Sequence, residues 1–166
     1  MIKLIILDVD GCLSDGGLIY SAQGIESKEF NVKDGLGIAT WIKMGNQVAI
    51  ITGRKSEIVK NRANELGIQH LFQGIKNKEQ VLNELVDSLG LQFYEVGAIG
   101  DDLNDYHMLK KVGRSFTPKD GVEEIRALVD TTLQNSGGKG AVREMIDILV
   151  NENDQKESFL SVWIKE

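Results

Sequence analysis

An apolar run, Ile2-Lys3-Leu4-Ile5-Ile6-Leu7, halts at Asp8-Val9-Asp10-Gly11-Cys12. A run this short and this apolar reads as a strand buried on both faces, the habit of parallel sheets. The two aspartates then stand where the chain leaves the core. In an open α/β sheet that edge is where ligands bind. Carboxylates resist burial unless something positive meets them. What meets Asp8 and Asp10 therefore decides what the chain can do.

The same pattern recurs downstream. Val48 to Thr52 reads as a second buried strand and runs into Gly53-Arg54-Lys55-Ser56. Ile68 to Phe72 is a third, and Val96 to Gly100 a fourth, ending in Asp101-Asp102-Leu103-Asn104-Asp105. Arg114 to Thr117 is a fifth. Helices fill the intervals. One is capped by Asp34 and stopped at Gly45, and one ends at Leu66-Gly67. One opens on a capping box of Asn77 with Gln80, and one ends near Gly113. Asp120 with Glu123 forms another box, and a last helix runs from Gly140-Ala141 to about Val150. Strands alternating with helices imply an α/β fold, a doubly wound parallel sheet covered on both faces. Leu13 to Val32, broken by Gly16-Gly17 and Gly24, reads as a β-hairpin. Residues 1–150 are expected to form one domain and 151–166 a tail. The polar stretch 151–158 is expected to be loose. The apolar Phe159 to Ile164 is expected to dock on this subunit or a neighbour, because exposing it to water is costly.

Composition removes several functions. The 166 residues suffice for one substantial core. A net charge of −6 with no basic block speaks against a nucleic-acid surface. No apolar run is long enough to span a membrane. The N-terminal run is short and carries Lys3, unlike a signal peptide. One cysteine, Cys12, excludes an internal disulfide framework. Together these predict a cytoplasmic protein.

Three polar clusters, Asp8/Asp10, Thr52-Gly53-Arg54 and Asp101/Asp102/Asp105, follow the C-terminal ends of parallel strands and so converge on one edge. Lys78 opens a helix on the same edge. Converging carboxylates need a cation, and oxygen ligands suit a hard one such as Mg²⁺, which favours a few carboxylates and a substrate phosphate. Thr52, Lys78 and the backbone N–H groups after Asp8 are placed to hold that phosphate. A carboxylate also serves as a nucleophile at phosphorus. Asp8 is assigned as the nucleophile and Asp10 as the acid/base, its pKa expected to be raised by neighbouring negative charge.

In chain order, Asp8-Val9-Asp10-Gly11, Thr52-Gly53-Arg54, Lys78 and Gly100-Asp101-Asp102-Leu103-Asn104-Asp105 resemble the four motifs of the haloacid dehalogenase superfamily of phosphatases. The resemblance implies a Rossmann-like fold and Mg²⁺ held by the Asp8 side chain, the Asp10 carbonyl and Asp101. It puts Asp102 and Asp105 close behind or completing the metal site. Asp8 to Tyr20, Phe30 to Gly35, Ile51 to Ser56 and Gly137 to Glu144 resemble a narrower branch. That branch dephosphorylates an eight-carbon 3-deoxy sugar-acid 8-phosphate during synthesis of the inner lipopolysaccharide sugar. A sister branch takes nine-carbon 9-phosphates and tends to carry a glutamate at the position of Arg54. Arg54 thus points to the eight-carbon acid, and a guanidinium suits its carboxylate. The resemblance adds Gly11, Gly53, Lys139 and Arg143 as substrate contacts. It also implies a homotetramer, with a hairpin flap in place of a cap domain. Cys12 is read as neutral packing, Asp34 as a cap, Trp41 and Trp163 as packing residues, and His70 and His107 receive no role. A receiver domain uses similar groups, but its acidic pair follows the first strand and its phospho-acceptor the third.

Overall fold

The computed structural model describes residues 1–164. Its centre is β1 (Leu4–Leu7), fully buried and flanked on both sides by parallel partners. On one side lie β4 (Gln47–Ile51) and β5 (His70–Phe72). On the other lie β6 (Val96–Ile99), β7 (Arg114–Thr117) and β8 (Thr131–Thr132). The order β5-β4-β1-β6-β7-β8 makes a six-stranded parallel sheet, as the buried apolar runs require. The edge strand β8 was not foreseen. At two residues it is too short to leave a periodic signal.

Alternation along the strands supplies two cores. Ile5, Leu7, Val48 and Ile50 face one layer, built from α1 (Val32–Lys43), α2 (Glu57–Leu66), α6 (Ala141–Glu152) and α7 (Lys156–Ser161). Leu4, Ile6, Ala49, Ile51 and Ala98 face the other, built from α3 (Lys78–Ser88), α4 (Tyr106–Lys111) and α5 (Glu123–Leu128). In α6 the residues Ala141, Val142, Met145, Ile146, Leu149 and Val150 are buried, an i, i+1, i+4 stripe matched to one helix face. Between β1 and α1 the chain makes a tight turn over Val9–Leu13 and a small antiparallel hairpin, β2 (Ile19–Tyr20) with β3 (Glu26–Ser27).

The capping differs from expectation. Asn31, not Asp34, caps α1, its side chain accepting from Lys33 N at 2.8 Å. Asp34 instead serves a different helix: its Oδ1 accepts from Arg143 N at 2.8 Å, in the first turn of α6. The Asp120–Glu123 box does not form. Val122 precedes α5 without a side-chain cap, and Asp120 accepts from Gly137 N at 3.0 Å. Asn77 caps α3, accepting from Gln80 N at 3.1 Å, but the expected box stays half made, because the Gln80 side chain donates to Glu84 Oε1 at 2.9 Å.

The stretch 151–158 is ordered secondary structure rather than a loose linker. Asn153 ends α6 by clamping the start of the sheet: its Oδ1 accepts from Ile2 N and its Nδ2 donates to Ile2 O, at 2.9 and 2.8 Å. The apolar tail docks on its own subunit. Phe159 is buried in the α1/α6 core, and Trp163 donates from Nε1 to Thr40 Oγ1 at 2.8 Å beneath the Lys43 ammonium. Leu160 and Ile164 stay exposed. Among the described residues, no helix is long and apolar enough to cross a membrane.

Candidate active site

The chain leaves β1 toward β4 and leaves β6 toward β7, in opposite directions. A crevice therefore opens between the C-terminal ends of β1 and β6, where such sheets bind ligands. Asp8 follows β1 and Asp101 lies just beyond β6, one on each side of it. Asp8, Asp10, Thr52, Gly53, Arg54, Asp101, Asp102 and Asn104 line one cavity of about 210 Å³. Asn104 was not singled out from the sequence, although it lies inside the Asp101–Asp105 motif.

Lys78 lies beneath this cavity, its side chain 1% exposed. Its Nζ donates to Asp8 Oδ1 at 2.8 Å and to Asp105 Oδ1 at 2.6 Å. A lysine at a helix start opposes the helix dipole, and these two carboxylates offset that cost. Asp105 is fully buried, and its Oδ2 accepts from the amides of Asp101 and Asp102 at 3.0 and 3.4 Å. It orients the loop that presents Asp101. Asp102 turns outward and accepts from Leu103 N at 2.7 Å.

The charges do not balance with one lysine. Burial and the nearby Asp105 raise the Asp8 carboxyl to about 6, against the pull of Lys78. Burial, Asp8 and Asp105 raise Asp101 to about 8. A divalent cation offsets this surplus. Asp8, Cys12 and Asp101 bring ligand atoms within 4.8 Å of one another. Of these the carboxylates suit Mg²⁺; burial, with Asp8 and Asp101 nearby, pushes the Cys12 thiol well up, and a protonated thiol is a poor partner for a hard ion. Gly11 keeps the space open. It sits at φ +92°, and a Cβ there would overlap the Asp101 carboxylate. Gly137 braces the same turn so closely that a Cβ would strike the Gly11 carbonyl, and Gly138 N donates to Cys12 O at 2.9 Å.

The surroundings of Asp10 differ from expectation. Its near neighbours are cations: Lys28 Nζ at 2.6 Å and Arg54 Nε at 3.7 Å. The hairpin folds back over the mouth and supplies Lys28, together with Tyr20 and Glu26, which both accept from Arg54 Nη2, at 2.6 and 3.1 Å. None of the three was singled out as a site residue. Lys28 lies 18 positions from Asp10, and only the fold-back joins them. Lys139 and Arg143 are not brought to this cavity within one chain. They line a separate one of about 360 Å³ beside α6, paired with Glu29 and Asp147 respectively.

Residues 71–146 match the haloacid dehalogenase-like hydrolase family. The chain is 43% identical over 149 residues to a 3-deoxy-D-manno-octulosonate 8-phosphate phosphatase of Escherichia coli K12, covering 90% of this chain and 79% of that one. Its structure is similar to that of the phosphatase of the same name from Moraxella catarrhalis, solved with magnesium, phosphate and the KDO molecule. There the TM-score is 0.94 and the identity 40%, covering 98% of this chain and 94% of that one. It is also similar to the cobalt-bound deoxy-D-mannose-octulosonate 8-phosphate phosphatase of Haemophilus influenzae, with TM-score 0.90 and 39% identity, covering 99% and 94%.

Proposed function

The chain belongs to the haloacid dehalogenase-like hydrolases, as a magnesium-dependent phosphatase, and from that premise we propose that it hydrolyses 3-deoxy-D-manno-octulosonate 8-phosphate through an aspartyl-phosphate. The products are the free sugar acid, a precursor of lipopolysaccharide, and inorganic phosphate. The observation that carries the reading is the buried Lys78, bonded at once to Asp8 and Asp105, under a cavity that also presents Asp101.

Lys78 ties down Oδ1 of Asp8, which leaves the other carboxylate oxygen to attack phosphorus. As that P–O bond forms, the bond from phosphorus to the sugar oxygen breaks, and Asp10 gives its proton to the leaving oxygen. In the second half Asp10 takes a proton from water, and the water oxygen attacks phosphorus. The acyl phosphate breaks, and Asp8 returns as a carboxylate. Thr52, Lys78 and the amides of the Val9–Leu13 turn hold the phosphoryl oxygens. Mg²⁺, held by the side chains of Asp8 and Asp101 and the Asp10 carbonyl, supplies the charge compensation that a phosphate dianion needs among carboxylates. Gly11 and Gly53 let the backbone approach the substrate, and Arg54 at the rim receives the sugar-acid carboxylate. Lys139 and Arg143 enter this reading as contacts made between subunits of a homotetramer that acts in the cytoplasm.

A phosphate-release screen tests the substrate, using eight- and nine-carbon 2-keto-3-deoxy sugar phosphates with simple hexose phosphates as controls. Highest kcat/KM is expected for the eight-carbon acid, with activity lost to EDTA and restored by Mg²⁺. Preference for the nine-carbon acid, or for hexose phosphates, overturns the substrate assignment. Light scattering on the purified protein tests the tetramer.

A further inference from the structure

At the mouth of the cavity, a carboxylate from the protein itself lies between two cationic side chains. Glu26, on the exposed hairpin, places Oε1 3.2 Å from Lys28 Nζ and 3.1 Å from Arg54 Nη2. Partial burial opposes its charge, yet Lys28 and Arg54 hold its carboxyl below the ordinary value. The position therefore selects for a charged carboxylate. It is also not saturated. Arg54 Nε is buried and, among the described residues, has no hydrogen-bond partner, its nearest carboxylate oxygen being Asp10 Oδ2 at 3.7 Å. Such a donor is costly to leave unpaired. A spare donor beside a filled carboxylate seat fits a ligand with more acceptors than Glu26 offers, as a carboxylate flanked by hydroxyls does.

We propose that Glu26 is an internal plug: it fills the seat between Lys28 and Arg54 that the substrate carboxylate takes, so that substrate entry exchanges one carboxylate for the other and lifts the hairpin. This rests on the sugar-acid reading of the site. It adds a selectivity device, because a phosphomonoester without a carboxylate has nothing to displace Glu26. The hairpin suits an exchange. It is two residues per strand, and Ile19, Tyr20 and Ile25 are exposed, so little burial holds it down.

The test uses hydrolysis of p-nitrophenyl phosphate by the Mg²⁺-loaded full chain as reporter, with free 3-deoxy-D-manno-octulosonate as competitive inhibitor and D-mannose as the uncharged control. Glu26→Gln is expected to lower the inhibition constant of the sugar acid about fivefold, the worth of one partly exposed ion pair. Mannose should be unaffected. Lys28→Met is expected to raise the same constant. An unchanged or raised constant in Glu26→Gln overturns the plug, as does an absence of inhibition by the acid in both wild type and variant. Should Glu26→Gln prove unstable in a thermal melt, Glu26→Ala gives the same readout. Wild-type phosphate release from the 8-phosphate is measured in parallel. Its absence overturns the substrate assignment, while the inhibition constants still report on the plug.

Discussion

At the scale of single residues, the site separates chemistry from its support. Asp8 touches phosphorus in the proposed reaction, whereas Asp105 bonds Lys78 and two backbone amides. Asp8→Asn keeps the shape and most hydrogen bonds but removes the nucleophilic oxygen. Phosphate release is expected to fall by more than about 10³-fold, as when other covalent nucleophiles are removed, with an unchanged circular dichroism spectrum. Near-normal turnover would reject the assignment. Lys78→Met acts differently, because it leaves Asp8 and Asp105 buried together without their cation. Breaking a buried pair from one side costs roughly 3–5 kcal/mol, so urea unfolding of the metal-free protein should show a loss of that order. Asp8 and Lys78 were both legible in the sequence, because each lies in a motif beside its strand or helix. Lys28 was not. No local pattern separates it from an ordinary hairpin lysine, and its partner Asp10 is reached only after the chain doubles back.

At the scale of elements, Asp34 links two helices. It sits in the first turn of α1 and caps α6, with one oxygen bonded to Arg143 N and the other, Oδ2, buried without a partner among the described residues. Burial raises its carboxyl to about 6, against the pull of the α6 amides and of Arg143 and Arg62. A folded-state value above the unfolded one means stability that is full at low pH and lost as pH rises through about 6. Between pH 4 and pH 7 the wild type should therefore lose roughly 2–2.5 kcal/mol relative to Asp34→Asn. Parallel urea titrations of the two proteins at each pH measure the difference. A constant gap would show that Asp34 titrates in the folded chain as it does in the unfolded one. The sequence marked Asp34 as a cap but named the wrong helix. A cap supplied from a distant element carries no local signature, and Asn31 already held the nearer position.

At the scale of the whole molecule, the tail is part of the domain's structure. Asn153 holds both backbone groups of Ile2, and Phe159 and Trp163 pack on the face formed by α1 and α6. Deleting everything after Val150 removes all of these contacts at once. Losing a buried phenylalanine alone costs about 3–5 kcal/mol, so the truncated chain is expected to melt well below the full one. An unchanged melt and an unchanged oligomeric mass would show the tail to be dispensable.

The order of strands β1 to β7 and of helices α1 to α6, and the edge where Asp8, Thr52 and Asp101 line one cavity above Lys78, follow from the sequence alone, whereas β8 and α7 do not. Buried strands announce themselves by unbroken apolar runs, and a parallel sheet puts all their C-terminal ends on one side. What tertiary structure alone decided is which charge meets which. Lys28 against Asp10, Glu26 between Lys28 and Arg54, Asp34 at α6 and Asn153 at Ile2 all join residues far apart in the chain. Local periodicity and spacing report only on neighbours along the chain. Electrostatic partners are chosen by distance in space, so these pairings appear only once the chain has folded.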